Sequence, residues 1–494
     1  MKKLLLILPA MAAALSAQAE ITPDKIYADH MVLQQGARVP ITGTCTGRGA
    51  VSVSFAGQTV QAQVSGNRWT ATLEPMQASA ESRTITITQG DDKMEIKDVL
   101  VGEVWIASGQ SNMLWRLNQT RDTNTLNEPD NPLFRFYHSE PQVHTNGVAY
   151  GPREQEILKN NQMYSGFWSC NTRQSRQRMS AVGYYFGREL SKQLGTPVAV
   201  VHASLGGSEM MAWMPPAVLQ AKYPECTNSR WLESRYMSAW VRGRARQNIG
   251  RDLNAPHPYK PAYLFETGIA PWVNFPVAGV IWYQGESDAE IQDMKQNYAL
   301  LEDLITGWRT AFNNKNLPFL QVQLPRINDR SALRAYWPEF RTVQQWAQDR
   351  IPGVYSLTTI DLGSTNSDVH PPRKLEVGTR LAHLAAARVY SVSIPYSGPV
   401  VREAKAQGST ITLSYDHAEG LTTTNGQAPV GFELSANGRE YHPATARIEG
   451  NTIILSSDAV RAPKHARYAW ATYMQPNLVN AAGLPAVPYA PTAR

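Results

Sequence analysis

At 494 residues the chain is long enough for about three average domains, so burying a core sets no limit on what it can fold into. Charged residues make up only 18% and the net charge is +6, to which Lys2 and Lys3 contribute, a balance that argues against nucleic acid as a partner. The 34 glycines, 32 prolines, 21 tyrosines and 13 tryptophans suit a turn-rich secreted protein with aromatic surfaces that face sugars.

Met1 to Ala19 carries two lysines, an apolar run from Leu4 through Leu15 and small residues at Ala17 and Ala19. This is the pattern of a cleaved secretory signal peptide, with the mature chain starting at Glu20 and free secretion to a Gram-negative periplasm. No later segment reaches the ~20 apolar residues of a membrane span. Three cysteines, Cys45, Cys170 and Cys226, are too few and too widely spaced for a zinc ribbon or a disulfide scaffold. At most one bridge forms, with Cys170 and Cys226 the pair to test against three free thiols.

Residues 20–98 alternate apolar and polar side chains, as in Val51-Ser52-Val53-Ser54-Phe55, between glycine turns, which predicts an N-terminal β-sandwich-like module. From residue 99 short apolar runs alternate with helical patterns, predicting an α/β domain over 99–394 with a mostly parallel sheet flanked by helices. The expected strands are Val99 to Ala107, Pro197 to Ala203, Val277 to Tyr283, Leu317 to Gln323 and Val354 to Thr359. The expected helices are Ser180 to Gln193, Gln292 to Phe312, Glu339 to Asp349 and Arg373 to Tyr390. Residues 208–275 break this rhythm and form an irregular insertion whose arginines, between Trp231 and Arg251, are either a solvated face or a reader of a substrate carboxylate. Alternation returns beyond Pro395, with an Asn437-Gly438 hairpin turn, giving a second β-sandwich-like module over 395–494.

Four segments carry chemistry, each at the carboxyl end of an expected strand, where open α/β sheets bind ligands. In Val101 to Met113 a buried strand stops at Ser108-Gly109-Gln110, a turn that lifts Ser111 off the sheet edge; the same text would also serve as a helix cap. A serine hydroxyl becomes a nucleophile only with a neighbouring base and with donors for the developing oxyanion. Gly206 and Gly207, after the strand ending at Ala203, allow a backbone N–H to approach an anion. Gln284, in Trp282-Tyr283-Gln284-Gly285-Glu286-Ser287, offers a side-chain amide for the same oxyanion, and Glu286 organises the loop or the base. Asp368 and His370, two apart in an extended segment, face the same way and suit a base held in one tautomer. No HExxH, Cys/His cluster or phosphate-binding glycine loop occurs, so no metal and no cofactor is expected.

At Gly109-Gln110-Ser111-Asn112-Met113, Trp282 to Ser287 and Asp368-Val369-His370-Pro371 with Lys374, the sequence resembles the SGNH hydrolases, and within them the sialate O-acetylesterase family of carbohydrate esterases. Asp29 to Gln35 and Asn480 to Pro485 are similar to that family's ends, so the resemblance covers nearly the whole mature chain. It implies an SGNH-hydrolase-like core that removes O-acetyl groups from sialic acids, with Ser111 as nucleophile, His370 as base and Asp368 orienting the base. Ser111 N–H, Gly207 and Gln284 would form the oxyanion hole, supported by Gly206 and Glu286. The wider superfamily commonly spaces its aspartate three residues before the histidine and uses an asparagine amide, so Glu286 and Asp361 stay open as partners of His370, and Gly206 stays open against Gly207. The same bond chemistry on acetylated xylan is the rival substrate, and a non-catalytic glycan-binding protein is the rival class.

Overall fold

Every residue from Val99 to Gly109 is buried, Glu103 included, and a mostly apolar strand buried throughout its length needs cover on both faces. A computed structural model, which describes residues 21–46, 49–228 and 230–491, supplies that cover. The signal peptide expected over residues 1–19 lies outside the described residues. Strand β1 (Asp92–Gly109) is the middle of a seven-strand row with β2 (Asn131–Pro141), β3 (Tyr164–Asn171), β4 (Val198–Ser204), β5 (Gly279–Tyr283), β6 (Phe319–Val322) and β7 (Val354–Leu357). The order is β3-β2-β4-β1-β5-β6-β7, all neighbours parallel except the antiparallel edge pair β2 and β3.

Side chains alternate between two cores. Trp105, Ala107, Val200, Ile281 and Leu320 pack under helices α1 (Ala181–Leu194) and α5 (Lys374–Arg388), while Val104, Ile106, Val280 and Phe319 pack under α3 (Met294–Ala311) and α4 (Trp337–Arg350). Helix starts follow the local chemistry: the Ser180 hydroxyl accepts from Gly183 N–H and the Asp293 carboxylate from Gln296 N–H. The α/β class expected from the sequence is present, with the five expected strands and four expected helices shifted by a few residues at their ends. Strand β2 and the edge strand β3 were not expected. They carry Arg135, His138 and exposed positions such as Phe167 in place of the apolar runs that mark the inner strands.

Residues 21–91 form mostly antiparallel strands, with Val32–Gln34 adding parallel to β1, whose Val39, Ile41, Val51, Val53, Trp69, Ile85 and Ile87 meet in one core. Strand β1 runs through the change of texture at residues 98–99: Asp92 to Val101 pair with Ser79–Gln89, and Glu103 to Gly109 pair with β4. Beyond residue 400 further antiparallel strands enclose Ile411, Leu413, Phe432, Leu434, Ile453 and Leu455. Buried Arg341 of α4 reaches this segment through the Ala471 carbonyl, and Ile327 N–H donates to Thr472 at 2.9 Å. Among the described residues of 208–275 the chain is short 3-10 turns and a π-helical turn, Phe265–Ile269, around α2 (Ala239–Ile249) and the helix Pro216–Lys222. All three cysteines are free thiols, so the bridge considered between Cys170 and Cys226 is not formed; Cys170 lies against Asp98 and Cys226 against Ser234. Among the described residues no helix is long and apolar enough to cross a membrane.

Candidate active site

At the end of β1, Gly109 adopts φ +137°, and a β-carbon there would lie 2.1 Å from the Tyr283 carbonyl of β5. Only glycine permits that approach. Gln110 N–H then donates to the same carbonyl at 3.0 Å, and the chain turns into a single helical turn, Ser111–Leu114, which puts Ser111 at its start. Gly206 stands opposite: a β-carbon on it would touch the Ser111 β-carbon at 3.6 Å. Its carbonyl accepts from Tyr259 Oη at 2.8 Å and from Thr145 Oγ1 at 3.2 Å. Gly207 has φ +73°, and a β-carbon there would meet Tyr259 Oη at 2.3 Å. Among the described residues the N–H groups of Ser111, Gly206 and Gly207 have no acceptor.

His370 comes from the loop between β7 and α5. The expected extended geometry is replaced by two successive side-chain turns: Asn366 Oδ1 accepts from Asp368 N–H at 3.1 Å, and Asp368 Oδ1 from His370 N–H at 2.9 Å. The turn, not strand alternation, brings Asp368 Oδ1 to 3.4 Å from His370 Nδ1. The other carboxylates considered are engaged elsewhere, Asp361 in a bidentate pair with Arg380 at 2.9 and 2.7 Å and Glu286 with Asn112. The indole of Trp115 stacks on the imidazole at 4.8 Å with 21° between the planes. Burial, and then the Lys374 cation, hold His370 below the usual histidine value, with Asp368 acting in the opposite sense.

Gln284 is turned inward. Its Nε2 donates to Asp288, to the Ser208 carbonyl at 3.2 Å and to Gln110 Oε1 at 3.3 Å, and the residue is absent from the walls of the cavity beside Ser111. Gln110 does line that cavity, with its Oε1 held by Gln284 and by Gly285 N–H at 3.4 Å. Glu286 is buried and burial raises its pKa; Asp288 behind it is pushed up to about 7 by the same cause.

The cavity has a volume of about 350 Å³, within the usual range for small-ligand sites, and its wall contains Ser111, Gly206, Gly207, Glu286 and His370. Trp240 and Tyr259 from the insertion and Leu114 and Val369 give it apolar surface. The arginine in its wall is Arg334, which lies outside the arginine-rich segment and pairs with Glu290 at 3.0 Å. Within that segment Arg244 donates to the Thr145 carbonyl and lies over Trp240, and Arg242 and Arg246 donate to the Ser234 and Leu232 carbonyls. They brace the wall. Sequence reasoning gave Gln110 only its place in the turn and Asn112 only its place in the motif after Ser111, and gave no part to Trp115, Tyr259 or Arg334; of these three, only Trp115, an aromatic directly after the serine turn, left a signal.

Residues 264–387, which include Glu286, Asp368 and His370, match the family model described as carbohydrate esterase, sialic acid-specific acetylesterase. The sialate O-acetylesterase of Rattus norvegicus is 25% identical over 497 residues, spanning 90% of this chain and 88% of the rat protein. That of Homo sapiens is 26% identical over 480 residues, spanning 90% and 86%. The crystal structure of a carbohydrate acetylesterase from Xanthomonas citri superimposes with a TM-score of 0.80 at 28% identity, over 96% of this chain and all of the other. A serine and a histidine in one cavity, with unengaged N–H groups beside the serine, fit what these relatives are described as doing, and the chain is an esterase similar over 90% of its length to sialate O-acetylesterases.

Proposed function

We propose that the protein is a secreted SGNH-type serine esterase that removes O-acetyl groups from sialic acids through an acetyl-enzyme on Ser111. The observation that carries the reading is the shared cavity of Ser111, His370, Gly206 and Gly207. Ser111 Oγ attacks the acetyl carbonyl carbon while His370 takes its proton, and the carbonyl oxygen becomes an oxyanion. Collapse breaks the bond to the sugar oxygen, which leaves with the proton from the imidazolium. Water, deprotonated by His370, then attacks the acetyl-enzyme, and acetate leaves as Ser111 recovers its proton. Asp368, in contact with Nδ1, keeps the imidazole in the tautomer this requires.

The N–H groups of Ser111, Gly206 and Gly207 are the backbone donors in this scheme. The side-chain amide beside them is that of Gln110, and Gln284 acts one step behind by holding Gln110 Oε1. Each oxyanion donor is worth roughly 10²- to 10³-fold in turnover.

Acetylated neutral polysaccharide such as xylan is the second reading. It draws support from the Xanthomonas citri relative, described only as a carbohydrate acetylesterase, and from Arg334, whose charge is already met by Glu290. Acetate release from O-acetylated sialic acid and from acetylated xylan, measured for the native chain and for Ser111→Ala, tests both. Activity on sialic acid that Ser111→Ala abolishes supports the proposal. Near-normal rates in Ser111→Ala overturn the nucleophile, and turnover of xylan alone overturns the substrate.

A further inference from the structure

Asn112, the residue after Ser111, is fully buried and does not line the cavity, yet its side chain joins three separate parts of the chain. Its Nδ2 donates to the Val369 carbonyl at 2.9 Å and to Glu286 Oε1, and its Oδ1 accepts from Lys374 Nζ. The amide has one orientation that fits, because a lysine only donates and a carbonyl only accepts. Glu286 follows β5, Val369 precedes His370, and Lys374 is the first residue of α5.

Such an arrangement is costly. Lys374 is fully buried, over the Tyr283 ring at 5.4 Å, and it sits at a helix N-terminus, where the macrodipole disfavours a cation. Burial draws it down to about 7 and raises Glu286. Neither Asn112 nor Lys374 meets the cavity, so contact with substrate is not what holds them there.

The Val369–His370 peptide is pinned from both sides: Asn112 takes its carbonyl, and Asp368 Oδ1 takes its N–H at 2.9 Å. A peptide plane held at both ends fixes where the His370 α-carbon stands, and Trp115 then sets the ring. Asn112 is covalently next to the nucleophile, so the same side chain references the base to the serine.

We propose that Asn112, braced by Glu286 and Lys374, is a positioning residue that sets His370 against Ser111. The inference rests on the reading of Ser111 and His370 as nucleophile and base. A displacement of about 1 Å costs on the order of 10²-fold in rate, which is the loss expected in kcat of Asn112→Ala, with KM within about threefold because the cavity wall is unchanged.

The test uses the full chain and p-nitrophenyl acetate, with and without added imidazole. A diffusible base bypasses a misplaced one, so imidazole should raise kcat of Asn112→Ala and of His370→Ala by a larger factor than that of the native enzyme. A merely structural role would not bring that rescue. Should Asn112→Ala fail to fold, Asn112→Asp keeps the shape and the acceptor for Lys374 but removes the donor to Val369, and the same kcat loss is expected. Native kcat in either folded variant, or a loss that imidazole does not restore while it restores His370→Ala, overturns the proposal. An active His370→Ala would instead overturn the reading of the base beneath it.

Discussion

Replacing Gly207 by alanine tests the oxyanion geometry through the backbone alone. An L-residue at φ +73° costs roughly 1–2 kcal/mol, and the new methyl group would sit 2.3 Å from Tyr259 Oη and 2.8 Å from the Trp240 ring. Tyr259 is buried and cannot withdraw into solvent, so overpacking adds about 1–3 kcal/mol. The cheapest relief is to push the tyrosine hydroxyl away, which breaks its 2.8 Å bond to the Gly206 carbonyl and lets the peptide between the two glycines rotate. Rotation turns a donor away from the Ser111 side, and kcat on p-nitrophenyl acetate should fall by roughly 10²- to 10³-fold. Melting temperature should fall as well. In a double-mutant cycle Tyr259→Phe should recover part of the melting-temperature loss caused by Gly207→Ala, since it removes the nearest clashing atom, but not the kcat, since it also removes the bond to the Gly206 carbonyl. A Gly207→Ala enzyme with kcat within threefold of native would refute the assignment of this peptide to the oxyanion.

Four further outcomes are expected. His370 must be neutral to accept a proton, and its pKa is lowered, so activity should persist as pH falls below the ordinary histidine value of 6.5; a kcat/KM profile whose acidic limb lies above 6.5 contradicts this. Asp368→Asn removes the one partner that raises that pKa, and should shift the limb further down while reducing kcat. Trp115→Ala frees the imidazole ring from its stack and should lower kcat by about tenfold without raising KM, checked by steady-state kinetics. Thiol titration of the denatured, unreduced chain should count all three cysteines, and a count of one would mean that a bridge exists.

The parts legible in the sequence are those in which a single stretch contains its own reason. Val99 to Gly109 announces a covered strand because every residue in it except Glu103 is apolar or small, and Gly109-Gln110-Ser111 announces a turn because the apolar run ends there. His370 and Asp368 are two residues apart, so their contact could be expected, although the turn that makes it could not. What the sequence hides is any function made by partners far apart. Asn112 and Lys374 are separated by 262 residues and Asn112 and Glu286 by 174, and no local pattern encodes either pairing. Gln284 misled for a similar reason. It has the right chemistry at the right strand end, but Asp288, one helical turn on, captures its amide. Strands β2 and β3 were missed because β2, although paired on both sides, buries Arg135 and His138 where the other inner strands carry valine, and the edge strand β3 is largely exposed.

The sheet order explains why these loops meet. From β1 the chain crosses to the β3 edge, returns to β4 on one flank of β1, and then continues outward from the other flank through β5, β6 and β7. The direction of winding therefore reverses at β1, and loops leaving the carboxyl ends on either side of such a point diverge and leave a crevice. Ser111 lies at the foot of that crevice, with Gly206 and Gly207 after β4, Glu286 after β5, Arg334 after β6 and His370 after β7 around it. The positions of Ser111, Gly206, Gly207 and His370 are thus set by the carboxyl ends of buried strands of this sheet. The outer wall has another origin: Trp240 and Tyr259 come from the insertion, and His144, Thr145 and Asn146 from the connection between β2 and β3. If Ser111 is the nucleophile, exchange of residues in those two segments should change KM between acetylated sugars while leaving the chemistry at Ser111 the same, which steady-state kinetics on paired substrates would check.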